Sequence, residues 1–194
     1  EFWKSVSEDV FWFKKPNKIL NKTKPPFYKW FEDGVTNTCY NALDHHIEQG
    51  RGDKIALIYD SPITGNKAQF TFTQLKEKVS KFAGALDNLG IKKGDRVVIY
   101  MPMIPEAVVA MLACGRIGAI HSVVFGGFAP ESLKDRVIDC SSNTIITANE
   151  GIRGGRKIPL LSNVREAIQG LEIVKNVIVV NRTNKETTFS DKEV

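Results

Sequence analysis

Cysteine is scarce in this chain. Its 194 residues hold three, Cys39, Cys114 and Cys140, far apart in the sequence. They make no Cys-x-x-Cys pair, and an odd number completes no disulfide framework, which points to a reducing compartment. Cys114 and Cys140 sit among apolar residues of helical spacing, where a thiol usually serves as a small buried hydrophobe. No apolar run approaches the ~20 residues a membrane-crossing helix needs, so a membrane-spanning role is not expected. The chain opens at Glu1 with neither an initiator Met nor a charged-then-apolar leader, so it reads as a processed or partial chain whose leader would not be visible. Internal repeats and low-complexity tracts are also missing.

Several catalytic signatures are absent. There is no Gly-x-x-x-x-Gly-Lys-Ser/Thr loop and no Gly-x-Gly-x-x-Gly after a strand. His45 and His46 are adjacent and His121 is remote, so no metal-ligand spacing stands out. Neighbouring helical residues diverge by about 100°, which sends His45 to solvent and leaves His46 packed. Ser122 lacks a Gly-x-Ser-x-Gly context. Together with His121 it falls in an expected buried strand, the two side chains on opposite faces, which argues against a Ser/His nucleophile.

What is present is the composition of an ordinary globular domain: 42% hydrophobic, 25% charged, net charge +5. The basic excess is concentrated. Lys14, Lys15, Lys18, Lys22 and Lys24 crowd the N-terminal arm, and Arg153, Arg156 and Lys157 form a second, glycine-flanked group. The lysines read as a solvated arm. No basic element with interleaved aromatics supports a nucleic-acid partner. Residues 1–50 hold all three tryptophans, Trp3, Trp12 and Trp30, and read as an arm that lays aromatic anchors onto a larger body, residues 51–194. Leu43 and Ile47 give the segment from Tyr40 to Glu48 a helical spacing.

From Lys54 onward, strands and helices alternate. Strands are expected at Ile55 to Tyr59, Phe70 to Thr73, Val97 to Met101, Ala119 to Val124, Thr144 to Ala148 and Val177 to Val180. The first helix carries Leu75, Val79, Phe82, Ala83, Leu86 and Leu89 on one face, with Thr73 as its N-cap and Gly90 as its stop. Pro105 and Pro130 open two more helices, and Gly118 ends the first of these. A fourth carries Val164, Ala167, Ile168 and Leu171. The pattern implies an α/β fold of βαβ units on a mostly parallel sheet with helices on both faces. Ligands of such sheets bind beyond the carboxyl ends of the strands.

Two consecutive strand ends carry unusual loops there. Phe125-Gly126-Gly127-Phe128-Ala129-Pro130 follows Val124, and Asn149-Glu150-Gly151-Ile152-Arg153-Gly154-Gly155-Arg156-Lys157 follows Ala148. Guanidinium forks at Arg153 and Arg156 suit phosphate oxygens, and Phe125 suits stacking on a flat ring. Glycines also turn chains without binding anything, so residue types and spacing leave two readings: a nucleotide-like surface, or two exposed loops.

Longer strings settle on a family. Trp30-Phe31, Asn37, Tyr40-Asn41, Asp44 and His46 resemble the N-terminal arm of the short-chain acyl-CoA synthetases, of the acetyl-CoA and propionyl-CoA synthetase type within the adenylate-forming (ANL) superfamily. Lys93-Gly94-Asp95-Arg96-Val97, then Tyr100 to Ala107, Met111 to Cys114, Arg116 to Ala119 and His121 to Phe128 continue the resemblance, which runs from about Phe2 to about Val180. Tyr59-Asp60-Ser61-Pro62 with Thr64 leans to the propionyl branch. The resemblance implies a ligase that condenses a short carboxylic acid with ATP, carrying Mg2+, to an acyl-adenylate, from which CoA displaces AMP. It implies that Phe125, Gly126 and Gly127 lie against the CoA adenine and that Arg153 and Arg156 lie near CoA phosphates. It departs from the family at His45, where an arginine is usual, and at Gly115, where an alanine is usual. No Ser/Thr/Gly-rich ATP loop ending in Pro-Lys-Gly, acyl pocket, hinge or catalytic lysine is present. The expectation is therefore an N-terminal fragment of a cytoplasmic or mitochondrial-matrix enzyme. It would contain no catalytic residue, be inactive alone, bind CoA weakly and tend to self-associate through an open sheet edge. Without the resemblance, the same features suit a stand-alone nucleotide- or CoA-binding or interaction module.

Overall fold

A computed structural model describes all 194 residues. At its centre, four parallel strands lie in the order β10 (Asn176–Val180), β7 (Thr144–Ala148), β5 (Arg96–Met101) and β6 (Ile120–Phe125). Earlier in the chain come β1 (Leu20–Asn21) and β2 (Lys29–Trp30), paired antiparallel in the arm, and an antiparallel hairpin of β3 (Ile55–Asp60) and β4 (Lys67–Thr71). A last hairpin, β8 (Gly151–Arg153) and β9 (Arg156–Ile158), follows β7. The helices are α1 (Phe2–Val6), α2 (Phe72–Asn88), α3 (Pro105–Ile117), α4 (Pro130–Asp139) and α5 (Leu160–Ala167). None is long and apolar enough to cross a membrane.

The central strands show why this arrangement is stable. β5 is buried along nearly its whole length, and β7 along all of it. Successive strand residues point to opposite faces, so an apolar run on a doubly covered strand feeds two cores. Val97, Ile99 and Met101 pack with Leu75, Val79 and Leu86 of α2 and with Ala110, Ala113 and Cys114 of α3. Val98 and Tyr100 pack on the other face with Leu133 and Val137 of α4 and with Leu160 and Val164 of α5. Burial pushes the Cys114 thiol up to about 11, which keeps it neutral and inert as a core residue.

Local signals set the helix ends. Pro105 and Pro130 occupy first-turn positions, and Gly118 takes φ +77 after α3. The α2 cap is one residue pair earlier than its apolar face implies. Thr71, not Thr73, accepts the Gln74 N–H at 3.2 Å, and the Gln74 side chain accepts the Thr71 N–H at 3.0 Å. Thr73 donates instead to the Gly52 carbonyl at 3.1 Å.

The arm's polar residues explain how it docks. Asn37 donates to the Gly115 and Arg116 carbonyls, 2.8 and 3.2 Å away, at the C-terminal end of α3. Asn41 accepts the Phe11 N–H at 2.8 Å and donates to the Phe11 carbonyl at 3.1 Å. The side chain of Asp44 is nearly buried, between Arg116 and Lys76. Around these contacts Phe11, Phe13 and Tyr40 pack ring against ring, and His46 packs on Phe72 at 4.7 Å. The expected helix from Tyr40 to Glu48 is wound as wide π-helical turns over Tyr40–Asp44 and Ile47–Arg51.

A further expectation is overturned. The segment carrying His121 and Ser122 is not a buried strand, because β6 is the sheet's edge. Ile120 is 56% exposed and Val123 58%.

Candidate functional site

The parallel strands bring several chain segments to one end of the sheet. β5 ends at Met101, β6 at Phe125, β7 at Ala148 and β10 at Val180. Beyond these ends lies a cleft of about 400 Å3. Its walls come from Met101 to Met103 after β5, Phe125 to Gly127 after β6, Gly151 to Arg153 on β8, Arg182 after β10, and Tyr59 to Ile63 at the β3–β4 turn. This is where the strand-end rule places a ligand.

The Phe125 loop is held by the sheet beneath it. Tyr100 is fully buried, yet its hydroxyl donates to the Phe128 carbonyl at 2.7 Å and accepts from Asn163 Nδ2 at 3.1 Å. Burial raises its pKa, so it stays a neutral donor. The Phe125–Phe128 turn is closed by a 3.0 Å bond from the Phe128 N–H to the Phe125 carbonyl. The turn also needs its glycines. A Cβ at Gly126 would sit 3.0 Å from the Met101 carbonyl oxygen, and one at Gly127 would sit 2.7 Å from the Phe125 ring.

The polar glycine-rich stretch after β7 is a two-stranded hairpin rather than an open loop. Gly154 and Gly155 form its turn at φ +54 and +74, a backbone residues with a Cβ rarely adopt. Arg153 and Arg156 face each other in register across it. Asn149 is buried at the hairpin's base. Its side-chain oxygen accepts N–H groups of Glu150 (2.8 Å), Arg182 (2.9 Å) and Thr183 (3.3 Å), tying the β7 end to the β10 end. Glu150 beside it accepts from the Thr183 hydroxyl at 2.9 Å. That bond, with Lys185 and Lys157 nearby, holds its carboxyl below the usual range.

Of the five residues singled out from sequence, four share the cleft wall: Phe125, Gly126, Gly127 and Arg153. Arg156 stands outside that wall, exposed on the far strand of the hairpin. Arg153 does not extend into solvent. Its guanidinium lies over the Phe125 ring, 4.9 Å from the centroid. Sequence reasoning missed Arg182, which follows a strand end just as the other loops do; the strand-end rule alone would have found it. It also missed the β3–β4 turn, whose place in the cleft depends on a hairpin outside the central sheet.

Comparison with known proteins identifies the family. Residues 43–194 match the family model described as AMP-binding enzyme, and residues 1–42 the one described as acetyl-coenzyme A synthetase N-terminus. The chain is 49% identical over 186 residues to the human mitochondrial acyl-CoA synthetase short-chain family member 3, covering 95% of this chain and 27% of that protein. It is 53% identical over 189 residues to the acetyl-coenzyme A synthetase of Xylella fastidiosa, covering 94% and 29%. Among solved structures, an acetoacetyl-CoA synthetase from Streptomyces lividans aligns with a TM-score of 0.88 at 29% identity, over 100% of this chain and 29% of that one. The chain thus spans under a third of the length of these relatives. With its fold, arm and family match taken together, the chain belongs to the AMP-binding enzymes and carries an acetyl-CoA synthetase-type N-terminus ahead of that domain.

Proposed function

We propose that this chain is the N-terminal part of an ATP-dependent short-chain acyl-CoA synthetase, with residues 1–50 as its arm and 51–194 as the first part of the adenylate-forming domain. In the complete enzyme a short carboxylate, acetate or propionate, attacks ATP to give an acyl-adenylate and diphosphate. The CoA thiol then displaces AMP. Mg2+ enters with ATP as part of the substrate. The setting is cytoplasm or mitochondrial matrix. The chain's own contribution is a CoA-binding surface. Phe125 supplies a stacking face, Gly126 and Gly127 allow close approach, and Arg153 and Arg156 supply phosphate anchors.

The observation that carries this reading is the convergence of Phe125, Gly126, Gly127 and Arg153 on one cleft at the strand ends, in a chain of this family. A single wall of a site gives weak affinity, since ordering costs are spread over few contacts. Calorimetric titration of CoA into the chain tests it. Weak binding is expected, weaker for dephospho-CoA and lost in the Arg153→Ala, Arg156→Ala double variant. Binding indifferent to both changes overturns the CoA surface. Acyl-CoA formation by the 194-residue chain from acetate or propionate, ATP and CoA overturns its inactivity.

A further inference from the structure

Arg182 stands two residues beyond the end of β10 and is one of the residues that line the same cleft as Arg153. Its backbone is set by the bond to Asn149, so its starting point is fixed whatever its side chain does. The Nη1 group of Arg182 is buried and meets no hydrogen-bond partner in the protein. A buried charged donor left unsatisfied is costly and calls for a partner.

The nearby carboxylates are engaged elsewhere. Glu150 is held by Thr183, Lys157 and Lys185, and Asp60, which also lines the cleft, pairs with Lys67 at 2.9 Å. Neither Arg182 nor Arg153 has a carboxylate partner. The cleft is therefore lined by two arginines without a carboxylate partner, from distant parts of the sequence, one after β10 and one on β8. Guanidinium forks match phosphate oxygens two bonds at a time.

We propose that Arg182 is an anion anchor of this cleft, acting with Arg153 to hold the phosphate oxygens of a phosphate-bearing ligand. The inference deepens the CoA reading and rests on it for the ligand's identity, since CoA carries a diphosphate and a 3′-phosphate. The anchor itself is a property of the cleft and can be probed with inorganic pyrophosphate.

Calorimetric titration of pyrophosphate and of CoA into the parent chain, Arg182→Gln and Arg182→Lys is the test, with thermal unfolding of each unliganded chain as the fold control. Arg182→Gln is expected to weaken pyrophosphate binding about tenfold, and Arg182→Lys about threefold, because lysine keeps the charge and loses the fork. Should Arg182→Gln lower the unfolding midpoint, Arg182→Lys carries the comparison. Equal pyrophosphate affinity in parent and variants overturns the proposal, as does a parent that binds no pyrophosphate. Pyrophosphate held through Arg182 without any CoA binding removes the CoA reading and leaves the anchor. CoA bound equally by parent and Arg182→Gln keeps the CoA reading and removes the anchor.

Discussion

The Arg153 guanidinium lies 4.9 Å from the centroid of the Phe125 ring and covers the face on which a flat ligand ring would stack. The contact joins two loops that leave different strands, β6 and β7. An exposed cation–π pair is worth about 0.5–1 kcal/mol, whereas stacking of a base on an aromatic ring is worth about 1–3 kcal/mol. A base can therefore displace the guanidinium, and the displaced arginine is then free to meet phosphate. On the proposed CoA reading, base and phosphate recognition are coupled through this pair. Phe125→Leu and Arg153→Lys should each weaken CoA binding, and the double variant should lose less than the sum of the two. A double-mutant cycle by calorimetry reads this directly. Strict additivity would show that the two side chains act separately.

The glycines of the Phe125 loop make a second, sterically defined prediction. An alanine methyl at Gly126 would press on the Met101 carbonyl of β5, a backbone atom in the central sheet. One at Gly127 would meet the Phe125 ring and, at 3.2 Å, Arg153 Nη1, which are side chains able to move. Gly126→Ala should thus destabilise the fold by about 1–3 kcal/mol, as overpacking does. Gly127→Ala should cost less stability and more CoA affinity, because it displaces the two groups proposed to bind. Denaturant unfolding beside CoA titration separates the two effects. Equal stability losses would remove the distinction.

Much of this was legible in the sequence because hydrophobic spacing follows the periods of strand and helix. The fully buried runs Val97 to Met101 and Thr144 to Ala148 announced central strands, and Pro105, Gly118 and Pro130 marked helix ends. What could not be read was lateral order. Ile120-His121-Ser122-Val123-Val124 looks as apolar as a central strand, and only the pairing of the sheet shows it to be an edge. The cleft was half legible for the same reason. Strand-end loops announced Phe125 and Arg153. Arg182 and Asp60 reach the site through the order of β10 and the placement of the β3–β4 hairpin, which no local pattern encodes. The roles of Asn37, Asn41 and Asp44 are likewise contacts between segments distant in sequence.

Asp44 gives the arm a pH-dependent attachment. Burial acts to raise its pKa, but hydrogen bonds from Arg116 and Lys76 outweigh that and hold the carboxyl below its ordinary 3.8. A carboxyl depressed on folding stabilises the native state above its unfolded pKa. That contribution is lost as pH falls through about 4 toward the lower folded value. Asp44→Asn should cost about 2–3 kcal/mol at neutral pH, less than a fully buried pair because Lys76 and part of Arg116 remain wet. The gap between parent and variant should close on acidification below pH 4. A gap that stays constant down to pH 2.5, followed by thermal unfolding, would mean the carboxylate is not the attachment.

The free edge of β6 bears on how the chain behaves in solution. Alternate strand residues face opposite ways, so exposed Ile120 and Val123 place apolar groups on both faces of a strand whose outer N–H and C=O groups have no ladder partner. Natural edges of this kind are blunted by charge, bulges or cover, and β6 carries no acidic or lysine side chain between Ile120 and Phe125. A second copy of the same edge, antiparallel to the first, satisfies both sets of backbone groups and removes the apolar side chains from water. The chain should therefore show a concentration-dependent dimer or larger species by light scattering. Val123→Lys should shift it toward monomer while leaving the unfolding midpoint of the sheet core nearly unchanged, because Val123 is more than half exposed. A parent chain that stays monomeric at high concentration would show that the edge is too short or too twisted to pair.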